Sequence, residues 1–251
     1  MNHLNPVIII PARLDSKRLP NKALAIIGDK PMILHVLHRA EQSGVGPVVV
    51  ACGDQEIAEV TERAGGRAIL TDPTLPSGTD RVFSALQKFD PEGKYDVIVN
   101  LQGDLPLIDP KIIRTVLGPL NNPSIDISTL ANEIRNNAEK EDRNIVKVAI
   151  GLAPGEKIGR AIYFSRVIVP AGEGLHYHHI GIYAYRRNAL EKFVALPESI
   201  LEKREKLEQL RALEAGMRID VSIVDTVPDG VDTPADLERA RRRLEIQTKI
   251  R

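Results

Sequence analysis

Short, continuous β-branched runs recur along the first part of the chain, at Val7 to Ile10, Pro47 to Ala51, Arg67 to Leu70 and Asp96 to Asn100. Because the apolar residues in these runs are consecutive rather than alternating, they predict strands buried on both faces. Helical spacing fills the intervals. Met32 to Gln42 presents Ile33, Leu34, Leu37 and Ala40 on one side, Gln55 to Ala64 presents Ile57, Ala58 and Val60, and Arg81 to Phe89 presents Val82, Ala85, Leu86 and Phe89. Strand alternating with helix restricts the fold to α/β: a mostly parallel twisted sheet, joined by right-handed crossovers and covered by helices on both faces. Ligands of such sheets collect at the carboxyl ends of the strands.

From about Ser124 the pattern changes to β-rich runs at Asp126 to Ala131, Val146 to Gly151, Ala161 to Phe164 and Ile180 to Tyr185. This predicts a smaller mixed-sheet lobe, residues 124–187, inserted into an α/β body formed by residues 1–123 and 188–251. A long helical stretch Ser199 to Ala215, a strand Asp220 to Val224 and a helix from Pro234 to Leu244 are expected to return the chain to that body.

Lys plus Arg and Asp plus Glu balance at 34 each. With no net positive field and few aromatic side chains, nucleic-acid binding is not expected. No apolar run approaches the roughly 18 to 20 residues that span a bilayer, and Met1 to Ile10 lacks the pattern of a leader. The single cysteine, Cys52, excludes an internal disulfide and suits a reducing compartment. A soluble, cytoplasmic protein without a membrane partner is expected.

The first strand runs into Pro11-Ala12-Arg13-Leu14-Asp15-Ser16-Lys17-Arg18-Leu19-Pro20-Asn21-Lys22, four cations just beyond a strand's carboxyl end. Arg forks and Lys point charges suit a polyphosphate there, and a solvated basic loop is the plainer alternative. The Gly-x-Gly-x-x-Gly and Walker patterns are absent. The fourth strand ends in Asn100-Leu101-Gln102-Gly103-Asp104-Leu105-Pro106, where Asp104 is a candidate ligand of a divalent cation. Asp232, in Gly230-Val231-Asp232-Thr233-Pro234, is either a second carboxylate or a helix cap. Pro76-Ser77-Gly78-Thr79-Asp80-Arg81 precedes a helix and suits either a base or phosphate contact or an ordinary cap.

These segments occur in one order with Pro-Met-Ile-x-His-Val, Tyr163-Phe164-Ser165-Arg166, His179-Ile180-Gly181-Ile182-Tyr183, Leu-Glu-Gln-Leu-Arg and Val-Asp-Thr-Pro-x-Asp-Leu-Glu. That series closely resembles the Kdo cytidylyltransferases (3-deoxy-manno-octulosonate cytidylyltransferases), from Val7 to about Leu244. The resemblance implies a nucleotide-diphospho-sugar transferase-like variant of the Rossmann fold, with CTP and Kdo as substrates, magnesium as cofactor, and a homodimer acting in lipopolysaccharide biosynthesis. It implies that Arg13 and Lys22 bind the triphosphate, with the backbone at Pro11 and Ala12 close to the nucleotide. Ser77, Gly78 and Arg81 would lie at the cytidine, Gln102 near both nucleotide and sugar, and Asp104 and Asp232 on magnesium. Arg13, Lys22, Asp104 and Asp232 form the implied catalytic set. Arg166, His179, Glu208 and Gln209 would line the sugar pocket, and the resemblance makes the inserted lobe the sugar-binding and dimerisation lobe. Two positions depart from the family pattern: Leu105, where Glu is usual, and the turn Ala51-Cys52-Gly53-Asp54, where an Asp-rich turn is usual.

Overall fold

A computed structural model describes residues 4–249, with side chains through residue 246. The first strand, β1 (Pro6–Ala12), is followed by a short 3-10 turn Lys22–Leu24 and a two-residue hairpin pair, β2 (Ile26–Ile27) and β3 (Lys30–Pro31). Then come α1 (Met32–Gln42), β4 (Val48–Cys52), α2 (Gln55–Arg63), β5 (Ala68–Leu70), α3 (Gly78–Phe89), β6 (Val97–Asn100) and α4 (Pro110–Thr115). The predicted strands and helices of this region are all present, but β5 is not buried on both faces as expected: it ends the strand order, pairing with β4 alone, and Leu70 is exposed.

Two compact units divide the described chain. In the first, residues 5–114 and 228–249, β1 lies between β4 and β6 and β4 continues to β5, every pairing parallel. The physical cause is visible in the burial: Val7, Ile8, Ile9, Ile10, Val49, Val50, Ala51, Val97, Ile98 and Val99 have no exposed surface, as two-sided burial requires. Helix α1 buries Ile33, Leu37 and Ala40 as its spacing predicts, but Met32 and Val36 complete the buried face where Leu34 was expected, and Leu34 is only half-buried.

In the second unit, residues 115–227, the elements are β7 (Ile127–Glu133), α5 (Asn137–Glu141), β8 (Lys147–Gly151), β9 (Ile158–Ser165), β10 (Tyr177–Arg186), α6 (Arg187–Ala195), α7 (Ile200–Glu205), α8 (Gln209–Glu214) and β11 (Ile219–Ile223). Its strands run in the order β10-β7-β11-β9-β8, and β8 also pairs with β10, so the order returns on itself. Only β7 with β11 is parallel; the other pairings are antiparallel.

Three expectations change here. The second unit extends to Val227 rather than ending at residue 187, begins at Thr115 rather than 124, and also takes Leu4. The strand near residue 220 belongs to it, because β11 pairs with β7 on one side and β9 on the other. The single helix expected over Ser199 to Ala215 is two, broken where Lys206 takes a left-handed conformation, φ 57°. A side chain rich in charge hides such a break, since Lys carries no turn signal of its own.

The last helix, α9 (Pro234–Lys249), returns to the first unit, where Leu237 and Ala240 join Leu19, Ile27, Met32 and Val231 in one apolar cluster. That packing carries Asp232 to its place. No helix among the described residues is long and apolar enough to cross a membrane.

Candidate functional site

At the carboxyl ends of β1 and β6 the first unit holds a cleft of about 410 Å³ lined by Pro11, Ala12, Arg13, Lys17, Arg18, Lys22, Ser77, Gly78, Arg81, Gln102, Gly103, Asp104 and Asp232. Every residue that the resemblance assigned to the nucleotide or the metal is therefore in one wall-to-wall arrangement. The location follows from topology, since loops leaving parallel strands gather at that edge.

Gly103 makes the approach possible. A Cβ there would lie 2.8 Å from the Pro11 carbonyl oxygen, so any larger residue would push the β6 loop away from the end of β1. Asp104 follows directly, and its backbone carbonyl accepts a hydrogen bond from the Val231 amide at 2.9 Å, which ties the loop before α9 to the loop after β6.

The centre of the cleft is an ion cluster. Lys22 Nζ lies 2.8 Å from Asp104 Oδ2 and 2.8 Å from Asp232 Oδ1, and Arg18 Nη2 lies 2.9 Å from Asp232 Oδ2. Burial alone would lower the Lys22 pKa, but the two carboxylates outweigh it and hold the ammonium above its ordinary value. Lys22 is thus a fixed cation. Asp232 is released from capping by its neighbours: Asp236 accepts from the Thr233 amide at 2.8 Å, and Thr233 Oγ1 accepts from the Asp236 amide at 3.3 Å, a reciprocal cap that leaves the Asp232 carboxylate to the cleft.

Both Asp104 and Asp232 place an oxygen within 2.8 Å of one cationic atom, so the pair already converges where a cation is held. An oxygen-only donor set of this size fits magnesium, which typically takes one or two carboxylates together with phosphate and water oxygens. No larger cluster of metal-ligating side chains occurs among the described residues.

Ser77 caps α3, its Oγ accepting from the Asp80 amide at 3.1 Å and donating to Asp80 Oδ2 at 2.7 Å, so the capping alternative for this segment holds alongside its place on the cleft. Arg81 is only 2 % exposed. Its guanidinium donates to Thr71 Oγ1 at 2.6 Å and to the Asp72 and Pro73 carbonyls at 3.1 and 3.3 Å. Burial, followed by nearby Arg13, lowers its pKa. Arg81 thus forms cleft wall while bracing the 71–73 loop. Gln102 Nε2 donates to Asn100 Oδ1 at 3.0 Å, which orients its amide at the β6 exit.

Apart from Gln102, the residues assigned to the sugar lie in the second unit. His179, on β10, is buried against Phe164 (ring centroids 4.9 Å) and Tyr183 (5.5 Å). Burial, with His178 beside it, pushes its pKa down to about 3, so the imidazole is neutral. Its Nε2 is 3.0 Å from Thr129 Oγ1, which is itself 2.9 Å from the Ile182 carbonyl. Both contacts are satisfied when Thr129 donates to the carbonyl and His179 donates from Nε2, which leaves Nδ1 an acceptor. Arg166 follows β9, and Glu208 and Gln209 open α8.

Sequence reading missed the Arg18 ion pair with Asp232 and the bracing of Arg81 by Thr71. The first joins residues more than two hundred positions apart, and no local pattern encodes it.

The cytidylyltransferase family matches residues 7–219. The 3-deoxy-manno-octulosonate cytidylyltransferase of Paramagnetospirillum magneticum is 59 % identical over 97 % of this chain and 99 % of its own length. The enzyme of that name from Rhodospirillum centenum is 60 % identical over 98 % of this chain and 96 % of its own. A solved structure of CMP:2-keto-3-deoxy-manno-octonic acid synthetase complexed with CTP superposes with a TM-score of 0.89 at 39 % identity, covering 97 % of this chain and 99 % of that one.

Proposed function

We propose that this chain, which belongs to the cytidylyltransferase family, is the nucleotidyltransferase that activates 3-deoxy-manno-octulosonate: CTP and Kdo give CMP-Kdo and pyrophosphate, with magnesium as cofactor. The observation that carries the reading is the Lys22 ammonium fixed between Asp104 and Asp232 in a cleft that also gathers Arg13, Lys17 and Arg18. A triphosphate is the small-molecule group whose charge calls for so many cations at one strand edge.

In the reaction the anomeric hydroxyl oxygen of Kdo attacks the α-phosphorus of CTP. The bond from that phosphorus to the β-phosphate oxygen breaks, pyrophosphate leaves, and the hydroxyl proton passes to solvent. Little covalent chemistry falls to the protein, so its contribution is alignment and charge neutralisation. Arg13 and Lys22 grip the phosphate oxygens, and the backbone at Pro11 and Ala12 bounds the nucleotide. Ser77, Gly78 and the braced wall at Arg81 shape the base site, with Gln102 between nucleotide and sugar. Asp104 and Asp232 would hold magnesium, which supplies a Lewis acid that neutralises phosphate charge. On the sugar side, Arg166 offers a guanidinium to the Kdo carboxylate, and neutral His179, Glu208 and Gln209 meet hydroxyls.

The finer architecture belongs to the same reading: a twisted, mostly parallel Rossmann-type body clad by helices on both faces, and a sugar-binding lobe through which a homodimer forms. We place the reaction in the cytoplasm, where buried Cys52 stays reduced, in the making of lipopolysaccharide. The test is pyrophosphate release with CTP, Kdo and magnesium, beside reactions with other nucleoside triphosphates, sialic acid or EDTA. Release confined to CTP, Kdo and free metal supports the reading. Release with a different acid sugar overturns the substrate, and CTP binding without release overturns the activity.

A further inference from the structure

The carboxylate of Glu205, the last residue of α7, gathers the whole segment Tyr163 to Arg166. Its Oε1 accepts from Ser165 Oγ at 3.0 Å and lies 3.5 Å from the Tyr163 hydroxyl, and its Oε2 accepts from the Arg166 amide at 3.0 Å. The Arg166 guanidinium answers in the opposite direction, donating from Nε to the Glu205 carbonyl at 2.8 Å and from Nη2 to the Lys206 carbonyl at 3.3 Å. A third bond, from Nη1 to the Arg143 carbonyl, measures 3.2 Å. The bonds to Glu205 and Lys206 satisfy carbonyls that the end of α7 leaves without helical partners.

The corner that carries Glu205 is built to hold still. Ser199 and Glu202 form a capping box at the start of α7, and Arg211 of α8 donates to both Glu202 oxygens, at 2.8 and 2.6 Å. Helix α7 stops at left-handed Lys206, and Glu208 and Gln209 come immediately after. The end of β9 is therefore referenced to the same turn that positions the first residues of α8.

We propose that Glu205 is a positioning residue for acid-sugar recognition, fixing Arg166 against the Glu208 and Gln209 turn without itself meeting the sugar. This rests on the proposed function. Three of the five guanidinium N–H groups are committed to carbonyls, so the plane of the fork is set in advance, and a preset fork loses less entropy on meeting a carboxylate. It also accounts for the hydroxyl residues of the Tyr-Phe-Ser-Arg sequence, since Tyr163 and Ser165 each present a side-chain donor to one carboxylate.

Steady-state kinetics on Glu205→Ala and Glu205→Gln, varying CTP and Kdo separately, provide the test. In Glu205→Ala the KM for Kdo is expected to rise about tenfold or more, while the KM for CTP stays within about twofold. Glu205→Gln keeps one acceptor for the Arg166 amide and is expected to recover most of the Kdo affinity. Should Glu205→Ala fail to fold, Ser165→Ala, which removes one of the same bonds, is expected to show a smaller rise in the same parameter alone. An unchanged KM for Kdo in folded variants, or an equal rise in both KM values, overturns the inference while leaving the function intact. A wild-type protein that releases no pyrophosphate with any acid sugar removes both.

Discussion

The two units treat charge in opposite ways. In the first, Lys22, Asp104 and Asp232 sit at side-chain exposures of 19, 27 and 44 %, a cluster open enough to exchange partners with an incoming ligand. In the second, Arg211 and Glu202 are each 10 % exposed and bound to one another by two hydrogen bonds, with Arg211 also over the Phe193 ring at 4.9 Å. The open cluster gives little stability, because water and salt screen it. The closed pair cannot be broken cheaply, because either partner alone would be a buried, uncompensated charge. Ionic pairs of similar length thus serve different ends according to their burial.

That contrast can be broken most sharply at Lys22. Replacing it with Ala is expected to reduce kcat/KM by a factor on the order of 10² to 10³, as for loss of one preorganised electrostatic contact, with little change in Tm. Pyrophosphate release and thermal melting of the same preparation check both halves. Asp104→Asn is expected to behave similarly and to raise the magnesium concentration needed for half-maximal rate.

Arg211→Ala is the converse experiment. It is expected to cost about 3 to 5 kcal/mol of stability in chemical denaturation, as for breaking a buried pair. The same pair predicts acid lability. Burial raises the Glu202 pKa, but Arg211 and the Ser199 amide outweigh it and bring it below the ordinary 4.5. Its contribution is complete above that value and is lost as pH falls below it, so Arg211→Ala should flatten the acid limb of the stability curve.

His179 sharpens the comparison over a milder range. Its imidazole ordinarily titrates at 6.5 but does so at about 3 in the folded chain, so between those values the unfolded state takes up the proton and the folded state does not. Stability from this source is full above pH 6.5 and declines as pH falls toward 3. Urea unfolding midpoints between pH 7 and roughly 4.5 should fall in the wild type and fall less in His179→Gln.

The smallest effect is expected at Gly53, whose added Cβ would lie 2.9 Å from Arg81 Nη1 and 3.3 Å from Arg13 Cβ. Gly53→Ala is expected to raise the KM for CTP about two- to fivefold, since the added Cβ displaces the braced Arg81 guanidinium and Arg13 by a few tenths of an ångström. An unchanged KM would mean that the Arg81 wall does not touch the nucleotide.

Much of this was legible in the chain itself. The apolar runs marked β1, β4, β5 and β6 as strands and helical spacing marked α1, because local periodicity is encoded residue by residue, but the exposed edge strand β5 and the half-buried Leu34 depart from the burial expected of them. The order of Arg13, Lys22, Ser77, Asp104 and Asp232 marked the candidate site. The roles of Asp232 and Ser77 were less legible: a residue before a helix can cap it or face a ligand, and only the Thr233 to Asp236 cap distinguishes the two for Asp232. The place of β11 was misread, since a strand's sequence states its burial but not its neighbours.

By itself, then, the amino-acid sequence determined the strands and helices of the first unit and the family, through short-range periodicity and ordered motifs. Tertiary structure alone decided that α9 brings Asp232 to Lys22 across 210 positions, that residues 188–227 complete the second unit, and that Glu205 gathers Tyr163, Ser165 and Arg166. Those outcomes depend on which surfaces meet after the chain collapses. Hydrophobic burial drives that meeting without direction, and hydrogen bonds and ion pairs select among its products only once the partners are near.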